Sequence, residues 1–158
     1  MAPSTSITKL SIVSVDDTSL QVEAQFNPKE LQIDKSVAWS KHANSKGDSP
    51  ELEFTGSDGR SMSLELLFDG YETNTNVETT YVDKLLTMAK ARDHKSRDEA
   101  MRRPHKVSVR WGLKQFDGVI ESMSTKYTMF APDGMPLRCT VNLKFKEAES
   151  LKTKSGGQ

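Results

Sequence analysis

Residues 137–146 alternate without exception: Leu137, Cys139, Val141, Leu143 and Phe145 are apolar, and Arg138, Thr140, Asn142, Lys144 and Lys146 are polar. A period of two puts one row on each face of an extended chain, so the run predicts a strand with a dry side and a wet side. Residues 119–130 form an equally long run and reach it through Ala131-Pro132-Asp133-Gly134, a tight-turn sequence. Together they predict a long hairpin whose polar side carries Ser122, Ser124, Lys126, Thr128, Arg138, Asn142 and Lys144. A side that hydrophilic is no core. It faces solvent or a water-filled interior, which points to building material rather than to a catalyst.

Shorter strands are expected before it. Residues 9–15 carry Leu10, Ile12 and Val13 and turn at Asp16-Asp17, and Leu20, Val22, Ala24 and Phe26 then alternate with polar neighbours. Asn27-Pro28 interrupts that strand, because Pro cannot donate to a ladder. Beyond it the apolar parity moves to Leu31, Ile33, Val37 and Trp39, which requires an inserted residue or a bend. Residues 41–50 read as a polar loop, and Leu52 and Phe54 begin another strand. Ser57-Asp58-Gly59-Arg60 reads as a hairpin turn into Met62, Leu64, Leu66 and Phe68.

Asn76 is placed to cap a helix over roughly residues 77–91, where Tyr81, Val82, Leu85, Leu86, Met88 and Ala89 recur at helical spacing. That stripe reads as core packing against a sheet. Pro104 ends any helix in the next segment, and Val107, Val109 and Trp111 open another strand, with a short hairpin at residues 112–116. About seven or eight strands and one helix predict a mainly β (α+β) fold, a largely antiparallel barrel or sandwich with a flanking helix. One domain over residues 1–150 and a mobile tail at 151–158, which is almost wholly polar, complete the expectation.

Composition narrows the function. Lys+Arg and Asp+Glu are 22 each, so no global field favours nucleic acid or an anionic membrane, and self-repulsion does not oppose association. No apolar stretch reaches the ~18 residues of a membrane span, and residues 1–6 lack a signal peptide's basic start and apolar run. Synthesis in the cytosol is expected, with no membrane contact by this chain itself. Cys139 is the only cysteine and sits on the apolar side of its strand; it implies neither an intramolecular disulfide nor a metal cluster.

Candidate chemistry is sparse. His42, His94 and His105 lie in polar or loop contexts without partners at metal-ligand spacing. A Cys139–His105 dyad is formally open but conflicts with a cysteine pointing into the core. Gly56, Gly59 and Gly70 sit at strand ends as turn residues, not in a phosphate loop. Neither catalysis nor a cofactor is expected. Residues 90–106 hold the densest positive charge, with Lys90, Arg92, Lys95, Arg97, Arg102, Arg103 and Lys106. Arg92, Lys95, Arg97, Arg102 and Arg103 are candidates for contact with an acidic partner, the alternative being a solvated connection that complements the helix C-terminus. Nucleic acid fits less well, because no aromatics interleave with the charges.

Several ordered motifs carry a resemblance. Phe26-Asn27-Pro28-Lys29-Glu30-Leu31 precedes Leu64-Glu65-Leu66-Leu67-Phe68-Asp69-Gly70-Tyr71. Arg103-Pro104-His105-Lys106-Val107-Ser108-Val109-Arg110-Trp111-Gly112 then leads to Phe116-Asp117-Gly118-Val119-Ile120-Glu121-Ser122 and to Phe130-Ala131-Pro132-Asp133-Gly134-Met135-Pro136-Leu137-Arg138. Taken in order across roughly residues 8–148, they resemble the tube-protein domain of contractile injection systems. The resemblance implies a phage-tail-like particle, whether retained or released, in which such proteins form sixfold rings at the inner-tube base, between spike hub and stacked tube. Partners would be further copies in a hexameric ring and the neighbouring tube, spike or hub and baseplate proteins. Hairpins of adjacent subunits would join into one barrel, with the wet face lining its channel. Many relatives carry a C-terminal LysM module that binds peptidoglycan or anchors the baseplate. This sequence ends after Lys154-Ser155-Gly156-Gly157-Gln158, so no glycan binding is carried over, and baseplate adaptor and tube layer both stay open. The competing reading is a stand-alone binding module that uses residues 90–106.

Overall fold

The computed structural model describes residues 7–42, 47, 49–57 and 59–149. Residues 1–6, the expected tail at 151–158, Asp58 of the expected turn, and residues 43–46 and 48 of the expected loop lie outside them. Among the described residues the strands are β1 (Ser11–Ser14), β2 (Gln21–Glu23), β3 (Leu31–Asp34), β4 (Val37–His42), β5 (Glu51–Ser57), β6 (Ser61–Asp69), β7 (Val107–Trp111), β8 (Lys114–Phe130) and β9 (Pro136–Glu147). A π-helical turn, Glu78–Val82, runs into α1 (Asp83–Ala89), and a short α2 (Glu99–Arg102) follows. The fold is mainly antiparallel β with one flanking helix of any length, as its alternation implies. The strand count is higher than expected, and α2 adds a helical turn inside the basic segment.

Seven strands form one sheet in the order β2-β1-β7-β8-β9-β6-β3, and β4 and β5 pair separately. The large sheet is open, not a closed barrel, yet it rolls. In a flat sheet β2 and β6 would stand about 24 Å apart, five strand spacings. Gln25, two residues past β2, nevertheless holds the end of β6: its Oε1 accepts from Asp69 N–H at 2.7 Å and its Nε2 donates to Asp69 C=O at 2.8 Å. One side-chain amide thus stands where a ladder would otherwise close the seam.

The rolled sheet has a dry inner face. Leu137, Cys139, Val141, Leu143 and Phe145 of β9 are buried with Met62, Leu64, Leu66 and Phe68 of β6. Val82, Leu85 and Met88 of the helix cover them, and Tyr81 stacks on Phe68 with ring centroids 4.2 Å apart. Leu86, expected in the helical stripe, points out. Asn76 Oδ1 accepts from Glu78 N–H at 3.0 Å and Thr79 N–H at 3.3 Å, so it covers donors that the first helical turn leaves unpaired.

Two expectations are corrected. The turn at residues 57–60 does not close a β5–β6 hairpin, because β5 pairs with β4, and β6 lies between β9 and β3. Lys41 and His42, read as loop, belong to β4. Alternation marks a strand but leaves its partner undetermined, since pairing is a tertiary choice.

Candidate functional site

The long hairpin supplies the most regular surface. Asn142 lies between Ser124 of β8 and Glu65 of β6, Lys144 between Ser122 and Ser63, and Thr140 between Lys126 and Leu67. Ser122, Ser124, Lys126, Thr128, Asn142 and Lys144 are exposed. Arg138 is half-buried, and its Nε donates to Asp69 Oδ2 at 3.1 Å. Backbone donation from Tyr71, and then this guanidinium, hold the Asp69 carboxyl below its ordinary range. Ser63, Glu65 and Thr140 share the face and were readable from the same alternation in β6 and β9. A groove of about 600 Å³ runs along it, bordered by Phe26, Pro28 and Lys29.

Two shifts set which β8 residues reach this face. Ile120 pairs with Phe145 and Ser122 with Lys144, so Glu121 is an extra residue; Thr128 is skipped in the same way between Tyr127 and Met129. Before Glu121 the buried β8 positions are Phe116, Gly118 and Ile120; after it, Met123, Thr125, Tyr127 and Met129 are the less exposed ones. A bulge reverses the facing of everything beyond it. Thr128 therefore occupies an unpaired position rather than the regular polar row.

β8 also has an open flank. Its pairing with β7 spans Lys114 to Gly118, whereas β9 follows it to Phe130. On the β7 side, residues 119–130 have no strand neighbour among the described residues. An unpaired edge of that length presents a row of backbone donors and acceptors to any strand that arrives.

The second exposed surface is the β4–β5 arm. Trp39 pairs with Phe54 and Lys41 with Leu52, and the Trp39 and Phe54 rings meet edge to face at 5.5 Å. Trp39 and Phe54 are each 56% exposed and Leu52 53%. Ile33, Val37 and these residues carry the apolar parity noted in the sequence, but none reaches the core.

The basic segment is largely turned inward. Arg103 forms a two-pronged ion pair with Asp16, Nη1 to Oδ2 at 2.7 Å and Nη2 to Oδ1 at 3.1 Å, with both side chains 16% exposed. Asp16 Oδ2 also accepts from Lys106 N–H at 2.8 Å. The Arg103 bond lowers the Asp16 pKa against a desolvation penalty. Arg92 donates to Ala100 C=O at 2.9 Å, and Arg102 to Ser96 and Arg97 C=O at 3.1 and 3.0 Å. Lys95 and Arg97 are exposed.

The reactive side chains are packed away. His105, expected in a polar loop, is buried instead; its Nδ1 lies 2.7 Å from Ser14 Oγ, and burial together with Arg92 lowers its pKa. Cys139 is fully buried beside Phe68 and Tyr127 in the sheet, and desolvation raises its thiol to about 11. His105 thus bonds Ser14, and Cys139 remains a thiol at neutral pH. Among the described residues no three His, Cys, Asp or Glu side chains group as a metal site, and no helix is long and apolar enough to cross a membrane.

Residues 6–156 match the family model described as contractile injection system tube protein. No curated protein matches the chain.

Proposed function

We propose that this chain, which belongs to the contractile injection system tube protein family, forms a sixfold ring in which the open flank of β8 in one subunit receives a strand edge of the next. The family describes a structural component of an injection particle; the ring, its six copies and its place are our reading. The observation that carries it is the β8 edge over residues 119–130, which lacks a second strand neighbour among the described residues, beside a largely exposed polar face. A head-to-tail pairing whose rotation is a whole fraction of a turn, with no rise, closes on itself and leaves no free edge. The β3–β6 side of the sheet supplies the other edge.

In such a ring Ser122, Ser124, Lys126, Asn142 and Lys144 line the channel, with Thr128 and Arg138 near one end of the row. The ring sits between spike hub and tube as a baseplate adaptor, or forms a tube layer. Lys95 and Arg97, exposed on the basic segment, contact neighbouring components, while Arg92, Arg102 and Arg103 shape that segment. The chain carries out no chemistry of its own; it is made in the cytosol and acts within the assembled particle.

The test is light scattering after size exclusion, together with particle imaging, on the chain alone and co-expressed with its particle neighbours. Rings of six copies are expected. A chain that stays monomeric in both settings and enters no particle would overturn the proposal.

A further inference from the structure

The β4–β5 arm has an apolar face that none of the described residues covers. Val37, Trp39, Leu52 and Phe54 lie on one side of a two-stranded ribbon, with Lys41 beside Leu52 at its outer end and Glu51 and Glu53 among the polar residues opposite. A lone two-stranded hairpin is marginal in water and gains stability only when its apolar side packs against something. The same chain carries a matching hollow. At one end of the rolled sheet, Ile33, Met62, Val109, Trp111 and Phe116 surround a space of about 230 Å³, with Leu113 fully exposed on its rim. Among the exposed cations at this end, Lys114 borders the hollow.

Position selects the occupant. The arm springs from β3 just past Asp34, which pairs with Ser61. Ser61 pairs with Lys146 and Lys146 with Val119, so arm root and hollow lie at the same end, away from the 131–134 turn. Rotation about a ring axis keeps like ends level, so one copy's arm can cross its neighbour's hollow. Stacking head to tail would instead bring the hollow against the opposite end. The arm also continues the β3 edge that faces the neighbour in the ring. We infer that the apolar face of the β4–β5 arm seats on the hollow between β3 and the β7–β8 turn of the adjacent copy in the same ring. This rests on the ring reading and names a second contact within it.

The experiment uses two full-length variants, Lys41→Cys on the arm and Lys114→Cys on the rim, distinguished by tag size and mixed under mild oxidation. Both sites are exposed, and native Cys139 is buried, so the background is low. Purified chain and co-expressed particles are both examined, with imaging to record whether rings are present. A mixed disulfide joining the arm variant to the rim variant is expected to predominate. Adding Trp39→Ser to the arm variant should cut it at least ~10-fold, the effect of losing an aromatic anchor. Predominance of arm-to-arm or rim-to-rim disulfides would mean face-to-face pairing and overturn the inference. Rings without the mixed product, or with the arm cross-linked to another component, would overturn it while leaving the ring intact. Absence of rings in both settings would remove the ring reading and this contact with it.

Discussion

Two hairpins in this chain are built on the same rule and end in opposite circumstances. β8–β9 and β4–β5 both alternate apolar with polar residues. Val141 of the first is 0% exposed, whereas Phe54 of the second is 56% exposed. The first finds its dry partner in β6 and the helix; the second finds none among the described residues. Alternation therefore states that a face requires cover, not who provides it, and the unmet requirement is what directs attention to other copies.

That contrast can be broken by substitution. Val141→Asp should place an unpaired charge in the core and unfold the domain, at about 4 kcal/mol or more, whereas Phe54→Asp should leave the melting temperature of the monomer nearly unchanged. Equal losses in circular-dichroism melts would refute the difference between the hairpins. Next in size is Arg103→Ala, which strips Asp16 of its ion partner in the body and should cost about 1–3 kcal/mol while leaving the Trp39 fluorescence of the arm, read in a Trp111→Phe background, as it was. A matched change in that fluorescence would tie arm and body together more closely than their separate sheets imply.

Acid should act on the body as well. Asp16 and His105 both have lowered pKa values in the folded state. In each case the unfolded chain takes up protons first as pH falls, so stability decreases. The decline begins near the ordinary histidine value of 6.5 and continues below the ordinary aspartate value of 3.8. His105→Gln should flatten the upper part of a melting-temperature profile, and an unchanged profile would argue against a neutral, buried His105. The smallest effect belongs to the wet face. Asn142→Asp or Lys144→Asp should alter stability by no more than ~0.5 kcal/mol, and a larger loss would mean that this face is packed within the monomer.

Much of the body was legible because its signals are local. The β9 row, the Asn76 cap and the Ala131–Gly134 turn, where Gly134 N–H donates to Ala131 C=O at 2.9 Å, need only nearby residues. What escaped depends on distant partners. Nothing around Leu52 and Phe54 reveals that β5 joins β4 rather than β6. The inward fold of Arg103 depends on Asp16, 87 positions away, and the burial of His105 on Ser14, 91 away. The open flank of β8 follows from β7 being shorter, a fact about a neighbour. Parity did move within β8, from Phe116 and Ile120 to Met123 and Tyr127, and that change was the available sign of the bulge.

Glu121 works as a half-step in a strict two-beat rhythm. Because one unpaired residue swaps the strand's inside for its outside, a change of one residue beside Glu121 reverses the facing of the chain up to the next bulge. A single deletion there would turn Ser122, Ser124 and Lys126 toward the oil and Met123, Thr125 and Tyr127 toward the water, without altering any side chain.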